Sequence, residues 1–197
     1  LQALATDQSR VLLIHGSGEN FCAGGDIGWM QKMAAASAQE NEQDAQLLAD
    51  LLYQLYCFPK PTIVLAHGAS LGGGLGLLAA ADIAIAAENA SFGLPEVKVG
   101  ITPSVISPYV IAAIGQRAAY YYFLTGARFD TNEAYRIGLV QKITANERLM
   151  DVGITLARTL LQNSPHALQE AKQLIREVEK EKITKESGVV NTVIYQE

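Results

Sequence analysis

The chain has 197 residues, of which 49% are hydrophobic and 18% charged, a balance typical of one globular α/β domain. Its 15 basic and 20 acidic residues give a formal net charge of −5, and no block of like charges interrupts the sequence. This composition argues against a disordered chain and against nucleic acid as a partner. Cys22 and Cys57 are too few for a disulfide scaffold and lack metal-ligand spacing, so we expect buried free thiols in a cytoplasmic protein.

The most apolar stretch, residues 62–87, does not predict a membrane span. It is interrupted by His67, Asp82 and five glycines, which favours a strand, a loop and a buried helix. No signal peptide is visible, and the three histidines are too scattered to predict a metal site. The chain opens on Leu1, and residues 1–10 resemble the end of a helix entering a strand, so we expect that some N-terminal sequence is missing.

The first half of the chain alternates predicted strands and helices. Residues 11–16 are a short apolar run that ends in glycine, which predicts a buried strand leading into the loop 16–26. Residues 27–58 carry leucines at helical spacing before Pro59, and they predict a long amphipathic helix. The elements predicted next are a second buried strand (62–67), a glycine-rich turn (68–74), a helix (75–81) and a third strand (82–87).

The second half continues this alternation. Its predicted elements are a loop-and-strand region (90–108), a helix (110–124), a capped helix start at Asp130, a helix stop at Gly138, a strand (139–143) and a last amphipathic helix beginning at Ser164. Strands alternating with helices predict an α/β fold whose functional residues lie in loops that follow strands. We expect residues 1–140 to form the α/β core and residues 141–197 to form a helical C-terminal region of the same domain family.

Three constellations could carry chemistry, and the first is the loop 21–26 after the first strand. Its adjacent glycines, Gly24 and Gly25, allow a sharp turn that leaves amide N–H groups open to a ligand oxygen. The ordinary alternative is a strand-to-helix turn with Asp26 as the N-cap residue. Taken alone, this motif favours the ordinary alternative.

The second constellation is the run 68–76, in which Gly72, Gly73 and Gly74 stand where a helix is predicted to begin. Amides at a helix N-terminus lie at the positive end of the helix dipole and suit a negative charge. A tight contact between helix and strand is the alternative explanation. Glycine inside a helix costs up to about 1 kcal/mol relative to alanine, so this many glycines indicate that close backbone approach is required.

The third constellation, residues 91–100, holds Glu96 between Pro95 and a run that we interpret as a strand. Its neighbours are nearly all apolar, and desolvation there would raise the pKa of the carboxyl and prepare it to move a proton. A surface glutamate at a strand edge is the commoner situation for an isolated carboxylate, and that interpretation stays open at this point.

Together these motifs, in this order and followed by Thr125-Gly126 and the segment 133–140, resemble the enoyl-CoA hydratase/isomerase (crotonase) family over essentially the whole chain. The resemblance implies an α/β fold built as a spiral of strand-strand-helix units, with the first unit truncated and C-terminal helices used in trimer assembly. It implies an acyl-CoA thioester as substrate, with coenzyme A as part of that substrate and no tightly bound cofactor. The expected assembly is a homotrimer or hexamer, with no membrane as a partner.

The resemblance also assigns roles to particular residues. It implies that the amides of Gly25 and Gly73 form an oxyanion hole for the thioester carbonyl. It further implies that Glu96 is the catalytic acid and base that exchanges a proton with the acyl chain. The positions that correspond to coenzyme A binding are Ala23, Asp26 and Ile27.

The sequence departs from the family pattern at two points. Hydratases of this family usually carry a second glutamate one helical turn after the oxyanion-hole glycine, and this chain has Gly76 there, three residues after Gly73 and directed to the same site. Residues 103–108 replace a small, glycine-rich stretch. The chain resembles the bacterial methylglutaconyl-CoA hydratase branch at Gly76, in the segment 106–109 and at residues 29–30. This resemblance implies hydration of an enoyl-CoA such as 3-methylglutaconyl-CoA.

Three other functions remain open. An enoyl-CoA isomerase would use Glu96 alone to move a proton between carbons. Residues 68–72 also satisfy the G-x-S-x-G pattern of serine hydrolases, with Ser70 as the nucleophile and His166 as the one downstream histidine. A non-catalytic acyl-CoA binding protein would account for Gly76, although Glu96 in apolar surroundings speaks against it.

Overall fold

A four-stranded parallel sheet forms the centre of the structure, a computed structural model that describes residues 1–25 and 36–178. In spatial order its strands are β1 (Leu12–His15), β2 (Thr62–Ala66), β4 (Ile83–Ala87) and β7 (Lys142–Thr144). A smaller sheet contains β3 (Ala69–Leu71), β5 (Ser91–Gly93) and β6 (Arg128–Asp130). In the smaller sheet β3 and β5 are parallel, and β6 runs antiparallel to β5.

Helices lie before, between and after these strands. They are α1 (Gln2–Thr6), α2 (Ala38–Tyr56), α3 (Gly73–Ala80), α4 (Ser107–Thr125), α5 (Thr131–Arg136), α6 (Leu149–Leu161) and α7 (Pro165–Val178). Short 3₁₀ turns occupy Pro95–Val99 and Asn146–Arg148. A parallel sheet with helices between its strands confirms the predicted α/β class. Within the described ranges, no helix is both long and apolar enough to span a bilayer.

Strand β2 is buried along its whole length because both faces of the central sheet are covered. Val64 and Ala66 pack in a core with helices α2, α3 and α4. The alternate residues, Ile63 and Leu65, pack on the other face with residues of α6. A parallel strand that is covered on both faces has a continuous apolar sequence, which is why residues 62–67 predict it.

Helix α2 begins at a capping box. The Glu40 N–H donates to Ser37 Oγ at 3.3 Å, and the Glu40 carboxylate accepts the Ser37 N–H at 2.8 Å. The described helix therefore begins at Ala38, whereas the leucine spacing predicts a start at residue 27. Residues 26–35, which include the rest of that predicted range, lie outside the described part of the chain.

Several predicted details are wrong. The glycine-rich turn 68–74 contains strand β3, which pairs with β5 and forms a bridge to Cys22. The residues after Glu96, expected as a strand, form a 3₁₀ turn that begins at Pro95, since proline fixes φ and cannot donate to a ladder. Helix α6 lies in the region 141–197 that is expected to be helical, although its own bounds are not predicted, and α4 is kinked at Gly115, where φ is 75°. Both cysteines are free as expected, but each is half-buried rather than buried.

Helix α7, which begins one residue after the predicted Ser164, is held to the rest of the fold by an ion pair. Lys172 Nζ pairs with Asp82 Oδ2 and donates to the Lys60 carbonyl oxygen at 2.6 Å. Asp82 also accepts the N–H and the hydroxyl of Thr62 at 2.7 and 2.8 Å. Burial lowers the pKa of Lys172, and the Asp82 carboxylate opposes that shift. The pair therefore ties the C-terminal helix to the start of β2.

Candidate active site

The two glycine-rich segments predicted to carry chemistry lie side by side. The N–H groups of Phe21 and Cys22 donate to the carbonyl oxygens of His67 and Ala69 at 2.8 and 3.0 Å. In return, the Leu71 N–H donates to the Cys22 carbonyl oxygen at 2.9 Å. The loop that contains Ala23 and Gly25 therefore leaves the edge of β3 as β3 enters helix α3.

Close packing fixes this arrangement at two glycines. A Cβ atom added at Gly74 would lie 2.6 Å from Cys22 Cβ and 2.9 Å from the Cys22 carbonyl oxygen. At Gly68, where φ is +55°, an added Cβ would lie 2.1 Å from the Glu19 carbonyl oxygen. Neither position tolerates a side chain without movement of the backbone, so glycine is required for the two segments to approach.

The start of helix α3 is set by Gly72. Its φ of 54° and ψ of −120° are accessible to glycine and strained for other residues. The Gly72 N–H donates to the Gly93 carbonyl oxygen at 3.0 Å, which joins the helix start to β5. Gly73 is the first residue of the helix, so its N–H has no acceptor within the helix and lies at the positive end of the dipole.

Glu96 is brought to this helix start by strand β5 and the 3₁₀ turn that follows it. Its Oε1 lies 3.0 Å from the position that a Cβ atom on Gly72 would occupy. Its Oε2 is buried and has no hydrogen-bond partner among the described residues. Burial raises the pKa of Glu96 above its usual range, and the residue's own backbone N–H opposes that shift less strongly. The predicted desolvation of this carboxyl is therefore confirmed, and the surface-edge interpretation is wrong.

Gly73 and Gly76 face the same row of helix α2. A Cβ atom on Gly73 would lie 3.7 Å from a Leu48 methyl, and one on Gly76 would lie 3.6 Å from a Leu52 methyl. Leu48 and Leu52 are one helical turn apart, so positions 73 and 76 face the same side of helix α2, and their orientation toward one catalytic site stays a prediction. Position 76 is also in contact with Ile106, a neighbour that the sequence spacing does not identify.

The serine-hydrolase interpretation is wrong. Ser70 lies within β3 with no exposed surface, and its Oγ has no hydrogen-bond partner in the described part of the chain. A nucleophile elbow requires the opposite, an exposed serine paired with a base. His166 lies on α7 with 83% of its side chain exposed, and its Nε2 is 3.8 Å from Glu170.

The residues predicted to bind coenzyme A are only partly described. Ala23 is exposed in the loop next to β3. Asp26 and Ile27, like residues 29–30, lie outside the described residues. The assignments of Ala23, Asp26 and Ile27 therefore stay predictions.

Replacing Glu96 with glutamine is expected to raise the thermal stability at neutral pH. Because burial raises the folded-state pKa of Glu96 above its ordinary 4.5, the folded chain holds this proton more tightly than the unfolded chain. The carboxyl therefore lowers the free energy of unfolding as the pH rises from its ordinary pKa through the raised one. Melting temperatures measured from about pH 4 to about pH 8 should separate, with the wild type falling below Glu96→Gln. Parallel curves would contradict desolvation of this carboxyl.

The fold and this site define a class of protein in which two glycine-rich loops and a desolvated carboxyl meet at the start of a helix. The family model described as enoyl-CoA hydratase/isomerase matches residues 1–195. The chain belongs to the enoyl-CoA hydratase/isomerase family, as the three sequence motifs predict.

Relatives with known names and solved structures agree with this assignment. The chain is 35% identical to the 2,3-dehydroadipyl-CoA hydratase of Escherichia coli, over 90% of this chain and 68% of that protein. An enoyl-CoA hydratase structure from Shewanella pealeana matches with a TM-score of 0.88 and 42% identity, over 94% of this chain and 70% of that one. AtuE of Pseudomonas aeruginosa matches with a TM-score of 0.86 and 38% identity, over 90% and 70%. These matches confirm the predicted crotonase-type fold.

The matched length is a separate fact about these comparisons. The chain spans 66%, 68% and 64% of the first three curated relatives, or about two thirds of each.

Proposed function

We propose that this chain is an acyl-CoA enzyme that stabilises a thioester enolate and hydrates an enoyl-CoA. The observation that carries the proposal is the buried Oε2 of Glu96, which lies beside the glycine-rich start of helix α3 and has no partner in the part of the chain that the structure describes. A desolvated carboxyl at such a place is suited to proton transfer and has little value for stability. In this proposal Glu96 is the catalytic acid and base, and the amides of Gly25 and Gly73 bind the thioester oxygen.

The chemistry of hydration fits these groups. The Glu96 carboxylate takes a proton from water as the water oxygen bonds to the β-carbon, and the π electrons move onto the thioester oxygen. The two amides stabilise that developing charge, and one such donor is typically worth roughly 3 to 4 kcal/mol. Glu96 then returns the proton to the α-carbon, which gives the 3-hydroxyacyl thioester and restores the carboxylate.

The proposal extends to ligand contacts and assembly on the strength of the family resemblance. Ala23, Asp26 and Ile27 would contact coenzyme A, which arrives as part of the substrate, and no tightly bound cofactor is needed for the steps above. A homotrimer or hexamer in the cytoplasm is the expected form. The segment 106–109 and Gly76 support 3-methylglutaconyl-CoA as the preferred substrate, since they resemble the methylglutaconyl-CoA hydratase branch.

An isomerase is the second candidate, and the contact between position 76 and Ile106 favours it. Without a second glutamate at position 76, Glu96 could move a proton between two carbons and never activate water. The oxyanion-hole amides would serve that reaction equally well, because the same enolate forms.

One absorbance assay at the conjugated enoyl-thioester band separates the two functions. Loss of absorbance with 3-methylglutaconyl-CoA but not with crotonyl-CoA would support a hydratase of the methylglutaconyl type. Loss with crotonyl-CoA alone would support hydration and contradict the preferred substrate. A gain of absorbance from a 3-enoyl-CoA, with no change in either conjugated substrate, would replace the hydratase with an isomerase.

A further inference from the structure

Position 76 lies one helical turn after Gly72, the glycine next to the carboxyl of Glu96. The Gly76 N–H donates to the Gly72 carbonyl oxygen at 3.0 Å, which places Gly76 one turn after the N-cap residue of α3. Glu96 Oε1 lies 3.0 Å from the Cβ position of Gly72. A side chain at position 76 would therefore begin close enough to the site for a second carboxylate to reach it.

Ile106 fills the space that such a side chain would need. A Cβ atom on Gly76 would lie 2.5 Å from Ile106 Cγ2 and 3.0 Å from Ile106 Cβ. Rotation of the isoleucine side chain cannot relieve the second contact, because Cβ moves only with the backbone. That backbone is held by the first turn of α4, where the Val110 N–H donates to the Ile106 carbonyl oxygen at 3.1 Å. Ile106 itself is only 2% exposed.

We infer that Gly76 and Ile106 are a matched pair that closes the position of a second carboxylate and so leaves Glu96 unassisted from position 76. The catalytic meaning of the pair rests on the proposed function, whereas its packing does not. With that position closed, Glu96 both accepts and returns the proton, and any second polar group must come from elsewhere in the site or from the substrate. Ile106 is thereby a specificity-determining residue, because it restricts the enzyme to acyl-CoA reactions that need only one carboxylate.

Melting temperatures test the packing. Gly76→Ala adds only the clashing Cβ atom and is expected to lower the melting temperature, and Ile106→Gly is expected to lower it by opening a cavity. If the two residues are matched, the double variant loses less than the sum of the two single losses. Gly153→Ala is the control, because its Cβ would lie 2.7 Å from Leu65 on the other face of the sheet. The fall in melting temperature of Gly153→Ala should add to that of Ile106→Gly. If the falls for Gly76→Ala and Ile106→Gly are also additive, the inference is overturned.

Activity tests the catalytic meaning. Gly76→Glu combined with Ile106→Gly is expected to hydrate crotonyl-CoA at least about tenfold faster than the wild type and than Gly76→Gln combined with Ile106→Gly. The losses in melting temperature could be coupled, and the wild type active on an enoyl-CoA, while the variant with glutamate gains no activity. That result would overturn the inference that the pair leaves Glu96 unassisted from position 76. If the losses in melting temperature are coupled but the wild type turns over no enoyl-CoA, the packing of the pair is supported and the proposed function is contradicted.

Discussion

Turnover of the enoyl-CoA substrate is expected to fall by about 10²- to 10⁴-fold in Glu96→Gln, which is the usual contribution of a positioned acid and base. Glutamine keeps the shape of the side chain beside Gly72, but it cannot accept a proton from water. Because the amides of Gly25 and Gly73, which we propose as the oxyanion hole, are unchanged, the affinity for an acyl-CoA should change little. The expected result is therefore a lower kcat with a nearly constant Kd for butyryl-CoA, measured by steady-state absorbance and by calorimetry.

Glu147→Gln is the matched control for this experiment. Glu147 lies exposed in the 3₁₀ turn Asn146–Arg148, so the same change of charge there should leave kcat unaltered. Unchanged turnover in Glu96→Gln would remove Glu96 from the reaction. A wild type that binds butyryl-CoA yet turns over no enoyl-CoA would favour the non-catalytic binding protein.

The parts of this fold that the sequence predicts are those governed by local pattern. Strands β2 and β4 are buried parallel strands, whereas β1, predicted as buried, is only half-buried; each of the three is a short apolar run that ends in or near a turn residue. The glycines of the run 68–76 predict close approach to their backbone, and at Gly74 that approach is the tight contact with Cys22 that stood as the alternative explanation, whereas approach of a ligand to their amides stays a prediction. Apolar neighbours predict the raised pKa of Glu96 in the same way, since desolvation depends on what surrounds a side chain.

The parts that the sequence does not predict depend on partners far along the chain. Strand β3 has three residues and exists because β5 and Cys22 supply its hydrogen bonds from either side. The contact between Gly76 and Ile106 joins positions on different helices, and its closeness depends on how α3 packs against α4. Sequence periodicity carries no information about such distances. The sequence therefore shows that the second glutamate is missing at position 76, but it does not show that Ile106 lies against that position.

Gly72→Ala is expected to impair both stability and turnover, because residue 72 must adopt a strained backbone conformation and must also leave room for the Glu96 carboxyl. The backbone at φ 54° and ψ −120° is strained for alanine, and strain of this kind costs about 1 to 3 kcal/mol. The new Cβ atom would also lie 3.0 Å from Glu96 Oε1, so the carboxyl must shift by a few tenths of an ångström. Misplacement of a catalytic group by about 1 Å can cost about 100-fold, so we expect kcat to fall by about 10- to 100-fold.

Gly115→Ala separates these two effects. Gly115 has φ 75° and ψ 158°, which are also strained for alanine, but a Cβ atom there would have no neighbour within 4 Å among the described residues. It should therefore lower the melting temperature by a similar amount and leave kcat close to that of the wild type. If Gly72→Ala loses stability but keeps full turnover, the position of the Glu96 carboxyl does not depend on Gly72. A large fall in kcat in Gly72→Ala alone would instead tie the reaction to the contact between the carboxyl and the start of helix α3.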